Sequence, residues 1–271
     1  MSGDADVARK LDAARRDIAE GLRAWRIWLA FAQEDLRQIY KRTVLGVAWI
    51  AVSFALFVGV KTLVFGALST ADARYFAAHV ALGFWVWQFA QGAVSEGAMA
   101  FVNAEPWIKG ARLPISVFVF AGVARLSFSA ALTGGVVVAL MAIVGVTPQA
   151  GAPWAFLGAT LVLLNALWVQ FLAGALAARW RDLAHLLNTA LRVTFFLTPI
   201  VWLPEQMGRL GDYVWWNPFA HALEVVRGPI LDPMAAPPTE SLMVMAALGV
   251  TGGIAAWIAF ALSRPRLAYW L

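Results

Sequence analysis

Apolar runs about as long as a bilayer is thick recur along this chain, and no other feature constrains its fold so tightly. A helix that crosses the hydrocarbon needs roughly 20 such residues. The first run is Val44 to Leu68. The second, Phe76 to about Phe101, is diluted by Gln88, Gln91 and Glu96. The third is Ile115 to Val146, the fourth Trp154 to about Ala178, the fifth a short Asn188 to Leu203, and the sixth Leu242 to Leu262. In lipid each segment must satisfy its own backbone hydrogen bonds, so runs of this kind fold as helices. The expectation is an all-α, polytopic membrane protein with six transmembrane helices. Composition agrees: 61% of the 271 residues are hydrophobic and 14% charged, against about a quarter charged in soluble domains. A soluble fold of this length could not bury that much apolar surface.

Several function classes fall away. There is no cysteine, hence no disulfide, thiolate metal site or cysteine nucleophile. His79, His185 and His221 lie far apart with no i,i+4 pairing, so no metal site is expected. No acid–base pair is spaced for hydrolysis, so no catalytic residue is assigned. The net charge of +5 in so apolar a chain points to basic ends facing anionic membrane lipids, with no nucleic-acid role. The first 40 residues lack the compact apolar core of a cleavable signal peptide.

Residues 1–43 differ from the rest. Val7, Leu11, Ile18, Leu22, Trp25, Leu29, Leu36 and Ile39 recur at helical gaps, with Arg15, Arg16, Asp17, Glu20, Arg23 and Arg26 on the other faces. This predicts an amphipathic helix, lying on the membrane surface or packed on a partner. Lysine and arginine set the orientation. Nine precede Val44, and Lys109, Arg112, Arg179, Arg181, Arg264 and Arg266 fall on the same side, with only Arg74, Arg209 and Arg227 opposite. The positive-inside rule then places both termini in the cytoplasm. Between the fifth and sixth runs, residues 204–241 carry Tyr213, Trp215, Trp216 and Phe219, and Asn217-Pro218 is a helix-start signal. The segment is either a set of short helices re-entering the outer leaflet or an interfacial loop with an aromatic belt. The chain thus divides into an interface helix (1–43) and a six-helix membrane domain (44–271).

Three stretches carry a family resemblance. QIYKRTVLGVAWI (38–50) opens the first run, NAEPWIKGARLPISVFVF (103–120) leads into the third, and FFLTPIVWLPEQM with WWNPFAHALEVVRGPIL (within 195–231) joins the fifth to the sixth. In this order they resemble the permease subunits of bacterial ABC exporters of polysaccharides: O-antigen, capsule and teichoic acid. Two positions depart from the pattern: Lys109-Gly110 stands where the family often has two basic residues, and Leu113 stands where it has Phe before the proline.

The resemblance implies a homodimer in the bacterial inner membrane, bound to two ABC-type ATPase subunits that hold ATP and Mg. The chain itself has no phosphate-binding loop of the GxxxxGK[ST] type, so it is not expected to be an enzyme and needs no cofactor of its own. The family's first cytoplasmic loop holds a coupling helix; the matching stretch is 103–114, with Glu105, Trp107, Lys109 and Arg112 as ATPase contacts. The loop from Arg179 to Asn188, with Arg181, is a further contact. The substrate implied is a lipid-linked polysaccharide. Sugars offer apolar C–H faces and polar hydroxyls, which suit a path lined with aromatic planes and a few polar groups. In the family the first and fifth spans line the path. Candidates are Trp49, Phe54, Phe57 and Lys61, then Trp85 and Trp87, then Phe195, Phe196 and Trp202. Lys61 either snorkels to the outer interface or meets anionic groups on the path. Arg192 is assigned to lipid phosphate or diphosphate. Arg125 has no carboxylate within its own run and is given an interhelical role. An outer gate is implied at Trp216, Asn217, His221, Glu224 and Arg227, where the last three, spaced by three, form either a gate or a solvated salt-bridged face. Rival readings are an ABC exporter of drugs or other small molecules, which needs a narrow apolar path, and a membrane-embedded transferase, for which only Glu34-Asp35 and the 221–227 face offer acidic or histidine groups. A non-transporting assembly scaffold is a third.

Overall fold

The computed structural model describes residues 2–67, 69, 71–232 and 238–271, and every regular element among them is helical. Two helices, α1 (Ser2–Arg23) and α2 (Trp25–Ile39), precede the first apolar helix α3 (Trp49–Gly66). Then come α4 (Ala73–Asn103), the short α5 (Glu105–Gly110), α6 (Ser116–Val144), α7 (Trp154–Arg179) and α8 (Asp182–Leu197). After two small pieces, α9 (Arg209–Asp212) and the 3₁₀ turn Tyr213–Trp216, α10 (Pro218–Leu231), α11 (Thr239–Ser263) and α12 (Leu267–Trp270) complete the fold. Four stretches are long and apolar enough to cross a membrane: Gly46–Gly66, Ser116–Val144, Trp154–Arg179 and Thr239–Trp270. The protein is therefore an all-helical membrane protein.

The second and fifth runs fall outside those four for different reasons. At 31 residues, α4 is about 46 Å long and can span a bilayer. Its hydropathy is lowered by Arg74, His79, Gln88, Gln91 and Glu96. It can carry them because it is the central helix, packed by α3, α6, α7, α8 and α10, so much of its surface meets protein instead of lipid. By contrast α8 has 16 residues, about 24 Å. The run expected over Asn188–Leu203 starts earlier, at Asp182, and stops at Leu197. Pro199 is the cause: Thr198 is extended (φ −102, ψ 134), as a residue before proline must be. Ile200 and Val201 then fold back into a core with Trp87 and Leu223. The expected loop Arg179–Asn188 shrinks to the turn Trp180-Arg181.

The first 43 residues are not one helix. The chain breaks at Ala24 (φ −81, ψ 35), and both pieces pack on protein, α1 on α6 and α11, α2 on α6. The packed line runs through Ala14, Asp17, Gly21, Ala32 and Leu36, while Val7, Leu22, Trp25 and Ile39 stay exposed. Small residues make the close approach: a Cβ on Gly21 would stand 2.1 Å from Ser116 Oγ.

One end of the bundle is tied together from several parts of the chain. Ala14, Phe101, Val119, Phe260, Leu267 and Leu271 share one core. The Asp17 carboxylate accepts from the Ile115 and Ser116 amides (3.1 and 2.9 Å) and from Arg264 Nε (2.8 Å). Arg181 donates to the Leu271 carbonyl (3.1 Å). Both ends of the described chain thus lie with α5 and the α7–α8 turn. The opposite end carries α9, the Tyr213–Trp216 turn and α10. Asn217 caps α10, its Oδ1 accepting from the Phe219 amide (3.0 Å), with Pro218 in the first turn. Of the expected outer segment 204–241, residues 233–237 lie outside the described residues.

Candidate functional site

A polar cavity of about 620 Å³ opens between α3, α4, α6 and α8. Phe57 and Lys61 reach it from α3, Trp85, Trp87, Gln88 and Gln91 from α4, Ser129 and Thr133 from α6, and Arg192, Phe195 and Phe196 from α8. Helical spacing explains the α8 set: Arg192, Phe195 and Phe196 are three and four apart and share a face. Ring planes dominate its wall. Phe57 stacks on Phe84 (centroids 5.7 Å), and Phe195 meets Trp87 edge-on at 5.6 Å. Trp85 is fixed by its indole N–H donating to the Ala130 carbonyl at 2.8 Å.

Lys61 is held by rings, not by acids. Its ammonium lies 3.8 Å from the Phe84 centroid, 4.2 Å from Phe195 and 5.0 Å from Phe57. Ring faces attract a cation without neutralising it. No ion pair is formed by Lys61 or Arg192 among the described residues. The cavity can therefore stack flat apolar faces, bond hydroxyls and accept an anion.

Three of the expected path residues stand elsewhere. Phe54 is 2% exposed in a core with Val58, Leu82 and Val137; it backs the wall, stacking on Phe84 (centroids 5.7 Å) as Phe57 does, without lining the cavity itself. Trp49, in the first turn of α3, is exposed and does not line the cavity. Trp202 lies past the end of α8, its indole donating to the Phe196 carbonyl (3.1 Å).

At the end that gathers the chain's two ends, α5 presents Glu105, Trp107 and Lys109. Glu105 and Lys109 are paired to each other at 2.7 Å, and the Lys109 ammonium holds the Glu105 carboxyl below its ordinary value. The Trp107 ring is half exposed and packs edge-on against Phe31 of α2 at 5.1 Å. Arg112 is exposed just beyond α5. Arg181, tied to Leu271, adjoins this group.

At the opposite end the solvated-face reading of His221, Glu224 and Arg227 is overturned. His221 and Arg227 are both buried. Arg227 does meet Glu224 (3.7 Å), but its closer bonds go to the Pro199 carbonyl (2.6 Å) and His79 Nε2 (3.1 Å). His221 donates from Nε2 to the Trp215 carbonyl (2.8 Å), while Nδ1 bonds Ser241 Oγ (2.9 Å). Asn217 Nδ2 also bonds Thr198 Oγ1 (2.8 Å). These groups staple α10 to α4, the 198–203 turn and α11. Trp216, by contrast, is 87% exposed.

One constellation is absent from the sequence reading. Arg125 on α6 donates to Glu96 on α4 (3.1 and 2.8 Å) and also pairs with Asp35 on α2. The signal was present: a charge inside an apolar run needs a partner, and Glu96 is the nearest acid within another run.

An apolar, multi-span helical bundle with a polar cavity and a helical plate gathered at one end defines an integral membrane protein of the transporter class. The family model for the ABC-2 type transporter matches residues 26–231, well over half of the chain, and the chain belongs to that family. It is the membrane subunit of an ABC transporter, the partner of ABC ATPase subunits. A comparison with curated proteins found no match.

Proposed function

We propose that the protein is the permease of an ATP-driven exporter that moves a lipid-linked, O-antigen-like polysaccharide across the bacterial inner membrane. The observation that carries this reading is the cavity between α3 and α8, with ring planes, hydroxyl-bonding side chains and two cations that form no ion pair among the described residues. A glycan on a phosphate-bearing lipid carries matching groups: C–H faces, hydroxyls and anionic charge. In this reading α4 and α8 join the four strongly apolar helices to make six crossings, both termini are cytoplasmic, and the helices before α10 re-enter the outer leaflet. Two copies face each other across α3 and α8, where Leu56, Phe57, Leu63 and Phe196 stand exposed. Two ATPase subunits, holding ATP and Mg, dock on α5 through Glu105, Trp107, Lys109 and Arg112, with Arg181 beside them. ATP-driven closure of the ATPase pair reaches the cavity through α5. Trp216, Asn217, His221, Glu224 and Arg227 shape the outer mouth.

A second reading, export of small apolar molecules, has one observation in its favour. An almost wholly apolar pocket of about 360 Å³ lies among α4, α7, α8, α10 and α11. One experiment separates the two. The chain is reconstituted in lipid with its ATPase, and ATP turnover is measured with lipid-linked glycan or with a hydrophobic cation. Glycan stimulation that disappears in Trp107→Ala/Lys109→Ala is the expected result. Stimulation by the hydrophobic cation alone favours the second reading, and no complex with any ATPase refutes both.

A further inference from the structure

We propose that Asp35, Arg125 and Glu96 form an inner gate on the transport groove, operated through the contact between Phe31 and Trp107; this rests on the transporter reading above. The polar cavity described above does not end at α8. A second polar cavity, about 550 Å³, lies toward the end that carries α5. It is walled by Phe31 and Asp35 of α2, Asn103 and Trp107 near α5, and Arg125 of α6. Ser95 and Glu96 line both cavities. The two form one polar groove along α4 and α6, and the ion cluster stands where they meet.

The geometry at that junction is that of a latch. Arg125 forks between two helices, with Nε and Nη2 on Glu96 (3.1 and 2.8 Å) and Nη1 on Asp35. The three side chains keep 20%, 36% and 45% of their surface exposed, so they face the groove. Opening it does not strand a charge: Arg125 released from Asp35 keeps Glu96, and Asp35 at the groove wall meets water.

The lever is legible in the same helix. Phe31 and Asp35 are four residues apart on α2 and share a face. Phe31 rests on Trp107 (5.1 Å) and on Phe118 of α6 (5.6 Å). A displacement of α5 therefore moves α2 at Phe31, and one turn on it moves Asp35 relative to Arg125. The latch is drawn from the cytoplasmic side, where the motor acts.

The chain has no cysteine, so one introduced thiol is the only one. Ser129→Cys reports the upper cavity and Asn103→Cys the lower. Inside-out vesicles carrying the chain with its ATPase are treated with a membrane-impermeant, uncharged maleimide, and labelling rates are measured. With the gate intact, Asn103→Cys labels fast and Ser129→Cys slowly. Asp35→Asn speeds Ser129→Cys labelling at least tenfold and leaves Asn103→Cys unchanged. Asp35→Glu restores the slow rate. ATP speeds Ser129→Cys labelling in the parent, and Phe31→Ala removes that response. A Ser129→Cys rate equal to that of Asn103→Cys in the parent, or one indifferent to Asp35→Asn, overturns the gate. An ATP response that survives Phe31→Ala overturns the lever. Gated labelling that persists where lipid-linked glycan does not stimulate ATP turnover keeps the gate and refutes the glycan-export reading instead.

Discussion

Replacing Asp17 by alanine tests whether α1 is a working part of the membrane domain or only a neighbour. Helix α6 has no side-chain cap of its own at Ile115, and the first amides of a helix need acceptors from elsewhere. Asp17, whose side chain is 1% exposed, supplies them. Its charge also sits at the positive end of the α6 dipole and holds Arg264 at 2.8 Å. Each charge-assisted bond is worth about 1.5–3 kcal/mol, but the three share one carboxylate and are not additive. In Asp17→Ala the Arg264 side chain, a third exposed, turns to water, and the local loss is that of two stranded amides at about 1–3 kcal/mol each, or about 3 kcal/mol together. At about 1.4 kcal/mol per factor of ten, the Ile115 and Ser116 amides in Asp17→Ala exchange with solvent at least one hundred times faster. Asp17→Asn keeps one acceptor oxygen, enough for the Ser116 amide, and turns an NH2 donor toward the Ile115 amide and Arg264, so its acceleration at Ser116 is smaller, roughly tenfold. Hydrogen exchange read by mass spectrometry on a 113–118 peptide makes the measurement, with an α10 peptide as control. Unchanged exchange at 113–118 in Asp17→Ala, or equal acceleration at α10, refutes the reasoning.

Three further outcomes follow from the same structure. Gln170 is buried with neither amide atom bonded among the described residues. An unsatisfied buried polar group costs about 1–3 kcal/mol, so Gln170→Met raises the thermal midpoint of the detergent-solubilised protein; a lowered midpoint contradicts this. At α5 the Glu105 carboxyl lies below its ordinary value of 4.5 because Lys109 bonds it. Its contribution to the helix is complete above pH 4.5 and is lost as pH falls through the lowered value. A carboxyl NMR titration of Glu105 is expected to shift upward in Lys109→Ala, and an unmoved midpoint shows the pair is not formed. In transport, Lys61→Met lowers glycan-stimulated ATP turnover at least tenfold while Lys61→Arg retains most of it; equal loss in both points to packing instead of charge.

The strongest sequence signals came from four runs. Those starting near Val44, Ile115 and Leu242 correspond to α3, α6 and α11, which other helices leave mostly uncovered, and the one at Trp154 corresponds to α7, over half buried among α4, α10 and α11; an apolar surface suits lipid and helix packing alike. Helix α4 reads as impure because its neighbours are protein, and the end of α8 is set by one proline. The interface helix was legible as amphipathic, and of its large apolar line Leu11, Ile18 and Leu36 pack on protein while Val7, Leu22, Trp25 and Ile39 stay exposed. Its packed face runs through Ala14, Asp17 and Gly21, and close approach selects small side chains that a hydrophobic count passes over. Spacing brought Glu224 and Arg227 together, but not Pro199, His79, Trp215 or Ser241, whose positions depend on how the chain folds back. The Arg125 partners come from two other helices, α2 and α4, which no periodicity within one run can reveal.

Where the structure neutralises charge, and where it does not, separates structural groups from working ones. A charge within apolar helices is costly, and folding alone gives no reason to keep it unpaired. Arg125 has Asp35 and Glu96. Arg227 has Glu224 and a carbonyl. Arg264 has Asp17. Lys61 and Arg192 have no acid among the described residues, and both line the same cavity. The rings around Lys61 contribute about 0.5–2 kcal/mol, which steadies the ammonium in place and leaves its charge available. Arg192 lies three residues before Phe195, one of those rings, on the same face of α8. In the proposed reading the anionic part of the substrate neutralises them, which would place its tightest contact where α3 and α8 meet.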